Sequence, residues 1–329
     1  MKAMKVTALA LAAASVGLIT GCERHSEKKE VFYLVASNLA TPYWQTAIAG
    51  FKGAAAEYKV TARANGPDNR DPQAELAELQ KAVAAKPAGI LISVSDAALL
   101  QPGIDAAVSS GIPVITVDSD APASKRLYFI GTNNLDAGRL GARRVVEKLG
   151  GKGNVVFFTL AGQPNTEERL KGFKDVFASS PGIKVVDVVD VQADPRAAFD
   201  KTQELMVLSG PQKINAFISL ESVSGKLVAD AVSRGGNKDR VVIAWDTSED
   251  TLNAIKSGTI DASVVQKPYT MGYTGLKALD EIFHNPPKQL SGNVSTDAFA
   301  GYPEFVDTGT SLVDKSNVDA YITSAASRK

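Results

Sequence analysis

The sequence predicts an α/β protein made of two doubly wound, parallel-sheet lobes. Short, largely apolar runs such as Val31–Ala36 and Gly89–Val94 alternate with amphipathic stretches of helical length. The alternation comes as two series in tandem, one before and one after Asn134. A chain of 329 residues is also long enough for two cores.

The first series opens with a strand at Val31–Ala36, a loop containing Pro42 and a helix over Tyr43–Tyr58. It repeats as Val60–Ala64 with Gln73–Ala85, as Gly89–Val94 with Leu99–Ser109, and ends on a strand at Pro113–Val117. After Asn134 come a helix to Leu149, a strand at Asn154–Leu160, a helix at Asn165–Ala178 and a strand at Lys184–Val191. A helix at Ala197–Leu208, a strand at Ala216–Leu220, a helix at Gly225–Arg234 and a strand at Val241–Trp245 continue the pattern. Ligands of open parallel sheets collect at the carboxyl ends of the strands. The loops to search are therefore Asn38–Trp44, Asn65–Asp71, Asp96, Asp118–Asp120, Gly162–Glu167, Glu221–Ser224 and Asp246–Glu249.

Ahead of the first strand, the basic stretch Met1–Lys5 runs into the apolar segment Val6–Ile19, which is short for a membrane span. Residues 1–21 read as a signal peptide. The stretch Ile19-Thr20-Gly21-Cys22 resembles a bacterial lipobox and implies lipidation of Cys22, the only cysteine in the chain. A lone cysteine can also be a buried apolar residue or a reactive thiol, but its place directly after an apolar leader selects the lipid. Residues 22–30 are then the lipidated cysteine and a charged, flexible tether. With no second cysteine, no disulfide is expected.

The 36 basic and 36 acidic side chains balance, and a leader cut at residue 21 removes only Lys2 and Lys5 from that sum. A nucleic-acid partner, which calls for a basic surface, is not expected. No later apolar run has the length of a membrane span, so membrane contact is expected through the lipid anchor only. The two histidines are His25 in the tether and His284 at a helix end before Pro286-Pro287. They form no metal or catalytic cluster, and there is no phosphate-binding glycine loop or nucleophile elbow. No enzyme activity, cofactor or metal is expected.

Several loop and strand motifs stand in a telling order. They are Asn38-Leu39-Ala40-Thr41-Pro42-Tyr43-Trp44, Gly111-Ile112-Pro113-Val114-Ile115-Thr116-Val117-Asp118 and Ile130-Gly131-Thr132-Asn133-Asn134. Glu168-Arg169-Leu170-Lys171-Gly172-Phe173, Trp245-Asp246 and Val264-Val265-Gln266-Lys267-Pro268 follow. From about residue 31 to the C-terminus this series resembles the type I periplasmic binding proteins of the ribose and galactose group. The resemblance implies the periplasmic binding protein-like I fold, with a hinge of three crossovers near Thr132, Gln266 and Pro303–Asp307. Lobe 1 would take residues 31–132 plus 267–303, and lobe 2 residues 133–266 plus 304–329. The lobes would close on a ligand by hinge motion.

The function implied is that of an extracytoplasmic solute-binding lipoprotein, monomeric and held at the periplasm or cell surface. It would capture a sugar or polyol and deliver it to an ABC permease. A sensing module presenting its closed form to a receptor kinase or chemoreceptor is the alternative. The lactose-repressor family shares the fold, but carries an N-terminal helix-turn-helix where this chain has an apolar leader.

The resemblance also assigns the ligand contacts. Tyr43 and Trp44 match the aromatics that sandwich a sugar ring, although either could instead pack under the following helix. Asp118 matches the carboxylate that accepts from adjacent hydroxyls, Asp246 is its equivalent in the second lobe, and Gln266 lies at the hinge. Helix capping is the other reading of both aspartates. Ser119 and Glu167 replace two arginines of the ribose-type proteins, and Glu221 replaces an asparagine. The cleft is thus expected to hold Asp118, Glu167, Glu221 and Asp246, with Lys267 as the nearest cation. Such a cluster needs an offset, which a ligand rich in hydroxyls or bearing an ammonium would supply and an anion would not. Alternatively, Glu167 and Glu221 face solvent or pair with Arg169 and Lys226. Asn133 and Asn134 read as cap and hinge residues, and Asn65–Asn69 as a turn near the rim. Trp44 and Trp245, the only tryptophans, are each expected beside the cleft.

Overall fold

The computed structural model describes residues 30–236, 239–286 and 301–326. The leader, Cys22 and the tether up to residue 29 lie outside the described residues.

The first lobe is built from β1 (Val31–Val35), α1 (Pro42–Tyr58), β2 (Thr61–Asn65), α2 (Pro72–Ala84), β3 (Gly89–Ile92), α3 (Ala97–Ser109), β4 (Val114–Val117) and β5 (Phe129–Gly131). The second follows with α4 (Asn134–Leu149), β6 (Lys152–Thr159), α5 (Pro164–Phe177), β7 (Gly182–Asp190), α6 (Pro195–Met206), β8 (Ile214–Ser219), α7 (Gly225–Arg234), β9 (Val241–Trp245), α8 (Glu249–Ser257) and β10 (Ala262–Val265). The chain returns to the first lobe for α9 (Pro268–His284) and β11 (Phe305–Asp307), then ends in the second with β12 (Ser311–Asp314) and α10 (Val318–Ala326). The sheets run β2-β1-β3-β4-β5-β11 and β7-β6-β8-β9-β10-β12. Every pairing is parallel except that of β12 with β10.

The inner strands feed two cores because successive side chains leave opposite faces of the sheet. In β1, Phe32 and Leu34 join the layer under α1 and α9, whereas Tyr33 and Val35 join the layer under α2 and α3. In β6, Val155 and Phe157 pack on one face and Val156 and Phe158 on the other. This double burial is why the inner strands read as largely apolar runs in the sequence.

The first four helix starts are set by side-chain caps. Thr41, Asp71, Asp96 and Asn133 accept from backbone N–H groups of α1, α2, α3 and α4, each contributing about 1 kcal/mol. Asp96, in a loop expected near ligand, is therefore a cap, as is Asn133.

Two helix pairs approach to backbone contact. A Cβ on Gly50 would lie 2.0 Å from the Tyr269 carbonyl oxygen, and one on Gly138 would lie 2.1 Å from that of Arg169. Glycine permits these α1–α9 and α4–α5 crossings, and the second seats Arg169 at the site described below.

The chain crosses between the sheets after β5, after β10 and after β11. The third crossing corrects the expected division of the chain: β11 pairs with β5, so residues 305–307 belong with the first sheet rather than the second lobe. Phe305 stacks on Phe129 with ring centroids 5.2 Å apart, which ties the strand there. Three residues give no readable periodicity, so the sequence pattern missed this pairing.

Candidate ligand-binding cleft

In each sheet the strand order reverses at the first strand, β1 or β6, and a crevice forms at such a point beyond the carboxyl ends of the strands. The loops after β1, β2 and β4 in one lobe and after β6 to β10 in the other enclose a cavity of about 70 Å³. Tyr43, Trp44, Asp118, Glu221, Asp246 and Gln266, all expected at the ligand, line it together.

Asp118 and Asp246 directly follow β4 and β9 in the left-handed backbone region, which a short polar side chain tolerates better than most. Both are buried, at 6% and 9% exposure. Asp118 accepts from the Tyr43 hydroxyl at 2.6 Å through Oδ1 and from Asn165 Nδ2 at 3.1 Å through Oδ2. Gln266 Nε2 donates to both oxygens of Asp246 at 3.2 Å. Glu221 is buried too and accepts from the N–H groups of Val223 at 2.6 Å and Ser224 at 3.1 Å. It both closes the turn after β8 and lines the cavity.

Burial raises the pKa of all three acids. Asp246 is pushed up to about 7, with Arg169 opposing the burial and Asp118 adding to it. Burial also lifts the Tyr43 hydroxyl well above its ordinary value, and Asp118 adds to that rise.

The cation that offsets the cluster is Arg169, not Lys267. Lys267 is exposed beside the second crossing, whereas Arg169 is buried and lines the cavity. Arg169 Nε donates to Asn134 Oδ1 and Nη1 to the Leu220 carbonyl, both at 2.9 Å, and its guanidinium carbon lies 4.5 Å from the centroid of the Trp245 ring. Its Nη2 and the Gln266 Oε1 have no hydrogen-bond partner among the described residues. Arg70 supplies a second guanidinium to the lining.

Two expected residues lie elsewhere. Glu167 is exposed and accepts from the Gly162 N–H at 3.0 Å. Since α5 begins at Pro164, Asn165 and Arg169 share one helical face, and Glu167 falls about 200° around from Asn165. Ser119 is buried behind the cavity rather than on it. The left-handed turn at Asp118 folds the chain back, and the Ser119 N–H donates to the Val117 carbonyl at 2.7 Å. Trp245 is likewise not on the lining but lies under Arg169.

Asn165, Arg169, Gln163 and Arg70 are among the polar lining residues that the sequence reading did not assign to the ligand. A signal for Arg169 existed, because it lies within the motif Glu168–Phe173. Arg70 had only its place in a loop at a strand's carboxyl end.

A two-lobed α/β fold, with aromatic, amide and carboxylate groups converging from both lobes on one small cavity, defines a solute-binding protein. The chain belongs to the family described as periplasmic binding protein domain, whose model matches residues 32–285. That family consists of extracytoplasmic solute-binding proteins rather than enzymes.

Its relatives are consistent in kind. It is 29% identical over 207 residues to the ribose import binding protein RbsB of Bacillus subtilis, covering 61% of this chain and 64% of that one. The glucose-galactose binding protein GanP from Geobacillus stearothermophilus has a similar structure, with 30% identity and a TM-score of 0.79 over 88% of this chain and 99% of that one. So has an ABC transporter solute-binding protein from Burkholderia graminis in complex with D-arabinose, with 28% identity and a TM-score of 0.81 over 90% and 99% of the two chains.

Proposed function

We propose that the cleft captures a neutral, hydroxyl-rich solute, a sugar or polyol, and that the closed protein delivers it to an ABC permease. The observation that carries this reading is the buried trio Asp118, Glu221 and Asp246 beside the aromatic pair Tyr43 and Trp44. Carboxylates accept hydroxyl protons strongly, and an aromatic face suits the C–H face of a sugar ring. Arg169 already offsets the acids, so the ligand needs no positive charge of its own. The import and sugar names of the relatives support an importer partner over a receptor kinase.

In this reading Trp44 is the stacking platform. Asp118, Asp246, Glu221 and Gln266 Oε1 accept from hydroxyls, and Arg169 Nη2 and Asn165 donate. The lobes turn as units about 131–134, 265–268 and 307–311. Cys22 carries the lipid that tethers a monomer outside the cytoplasm, and Cys22→Ser should release the protein from membranes.

Isothermal titration calorimetry over aldopentoses, aldohexoses, pentitols and amino sugars tests the assignment. A neutral sugar or polyol is expected to bind best. Binding of none of the neutral compounds would refute it.

A further inference from the structure

Beside the carboxylates, a line of polar groups runs from one lobe to the other and back. Arg70 is fixed on its own lobe, where Nη2 donates to the Ser95 carbonyl at 3.0 Å. Ser95 is held in turn by the buried Glu75, to which it donates its hydroxyl and its N–H. Arg70 Nε faces the other lobe and donates to Gln163 Oε1 at 3.0 Å. Gln163 occupies the N-cap of α5 without capping it, which leaves its amide to the cleft. Its Nε2 donates to Asn165 Oδ1 at 2.9 Å, and Asn165 Nδ2 donates to Asp118 Oδ2 at 3.1 Å, back on the first lobe.

The direction of every bond in this line is dictated by its ends. A guanidinium only donates and a carboxylate only accepts. Gln163 must therefore turn its oxygen to Arg70 and its nitrogen to Asn165, and Asn165 must do the same toward Asp118. Two amides held head to tail between a cation and an anion polarise one another, which strengthens the chain. Its two lobe-to-lobe bonds each involve a charged group, the stronger kind of hydrogen bond.

We infer that Arg70, Gln163 and Asn165 form a closure strap that holds the lobes together and retains the bound solute. Arg70 and Gln163 are positioning residues, acting on Asp118 through Asn165. The assignment rests on the sugar-binding reading of the cleft for what is retained, but not for the closure itself. The cross-lobe bonds exist only while the lobes touch, so their loss falls on escape rather than on encounter.

The test separates these two parts. Spin labels at Lys52→Cys on α1 and Lys174→Cys on α5, both exposed, report the distance between the lobes on a Cys22→Ser background. In sugar-free protein, Arg70→Met and Gln163→Leu should each lengthen and broaden that distance, and Arg70→Lys should restore part of the closed population. Stopped-flow binding uses D-ribose, D-xylose, L-arabinose and D-galactose as probes. For the sugars that bind, Arg70→Met should raise koff about tenfold, with kon changed by less than about twofold. The double variant should be no worse than either single one, because both break the same chain. Unchanged distances in both single variants, or additive losses in the double one, would overturn the strap. If none of the four sugars bound the wild type, the ligand reading would fail while the distances still decided the closure.

Discussion

Asp118 and Asp246 are counterparts across the cleft. Each follows the last residue of the fourth strand in its sheet, with φ of +64° and +57°, and burial raises the pKa of both against the opposing charge of Arg169. The two lobes thus each present an aspartate from the same place in the same topology, and the charge of Arg169 acts on both. The pair sets how the site should respond to pH.

Asp246 titrates near 7 when no hydroxyl donor stabilises its charge. Sugar hydroxyls favour the ionised form, so binding lowers the pKa and releases protons. Affinity should therefore rise as pH increases from about 6 to about 8 and level off above. Calorimetry in buffers of different ionisation enthalpy reads the proton release directly. Asp246→Asn should weaken binding at least tenfold, by about 1.4 kcal/mol or more, and flatten the profile. A wild-type affinity independent of pH across that window would refute this role.

Glu75 makes a second pH prediction, for stability. It is wholly buried on α2, and burial pushes its carboxyl up to about 8 against the hydrogen bonds from Ser95 and the charge of Arg70. The folded state then keeps a proton that the unfolded chain, with a pKa near 4.5, gives up. Folding stability falls as pH rises between those values, with a limiting slope of about 1.4 kcal/mol per pH unit from this residue. Glu75→Gln keeps an acceptor for Ser95 and cannot ionise. Its melting temperature should decline less than that of the wild type between pH 5 and 8, and equal slopes would exclude the assignment.

Most of the fold was legible because parallel strands covered on both faces leave short, largely apolar runs, as in Gly89–Ile92 and Val114–Val117. The acids of the site were legible because Asp118, Glu221 and Asp246 stand where such strands end. Arg169 was harder to place, since it lies in the second turn of α5 and reaches the cavity only through the helical face it shares with Asn165. Glu167 misled for the converse reason: its place in the sequence is close to the cleft, but the helix turns it away. Three-residue pairings such as β5 with β11 carry no pattern at all.

The α4–α5 crossing should matter to binding as well as to folding. Gly138→Ala would set a methyl group 2.1 Å from the Arg169 carbonyl oxygen, so α5 must shift and carry Arg169 and Asn165 with it. A stability loss of about 1–3 kcal/mol is expected from such overpacking, together with weaker sugar binding. Gly111→Ala is the control. Its φ of +88° makes alanine strained, but nothing lies within 4 Å of the added carbon and the position is remote from the cavity lining. It should lose stability and keep wild-type affinity, as thermal melts and calorimetry on the two variants can establish.

Trp44 and Trp245 offer two optical reporters with different neighbours. Trp44 is 4% exposed, lines the cavity and meets Tyr43 edge to face with centroids 5.4 Å apart. Trp245 is 1% exposed and lies beneath the Arg169 guanidinium. A sugar ring stacked on Trp44 changes the surroundings of that indole directly, whereas Trp245 feels binding only if Arg169 moves when its Nη2 gains an acceptor. Trp44→Ala should abolish most of the fluorescence change and cost about 1–3 kcal/mol of binding, the range for losing a large buried apolar contact. Trp245→Phe should leave most of the signal and weaken binding by about 1 kcal/mol or less, because a phenyl ring still supports the guanidinium, though less strongly than an indole. Fluorescence titrations of both variants, with affinities fixed independently by calorimetry, separate the two rings. Wild-type affinity in Trp44→Ala would remove the stacking platform from the first lobe and, with it, the sugar orientation proposed for this cleft.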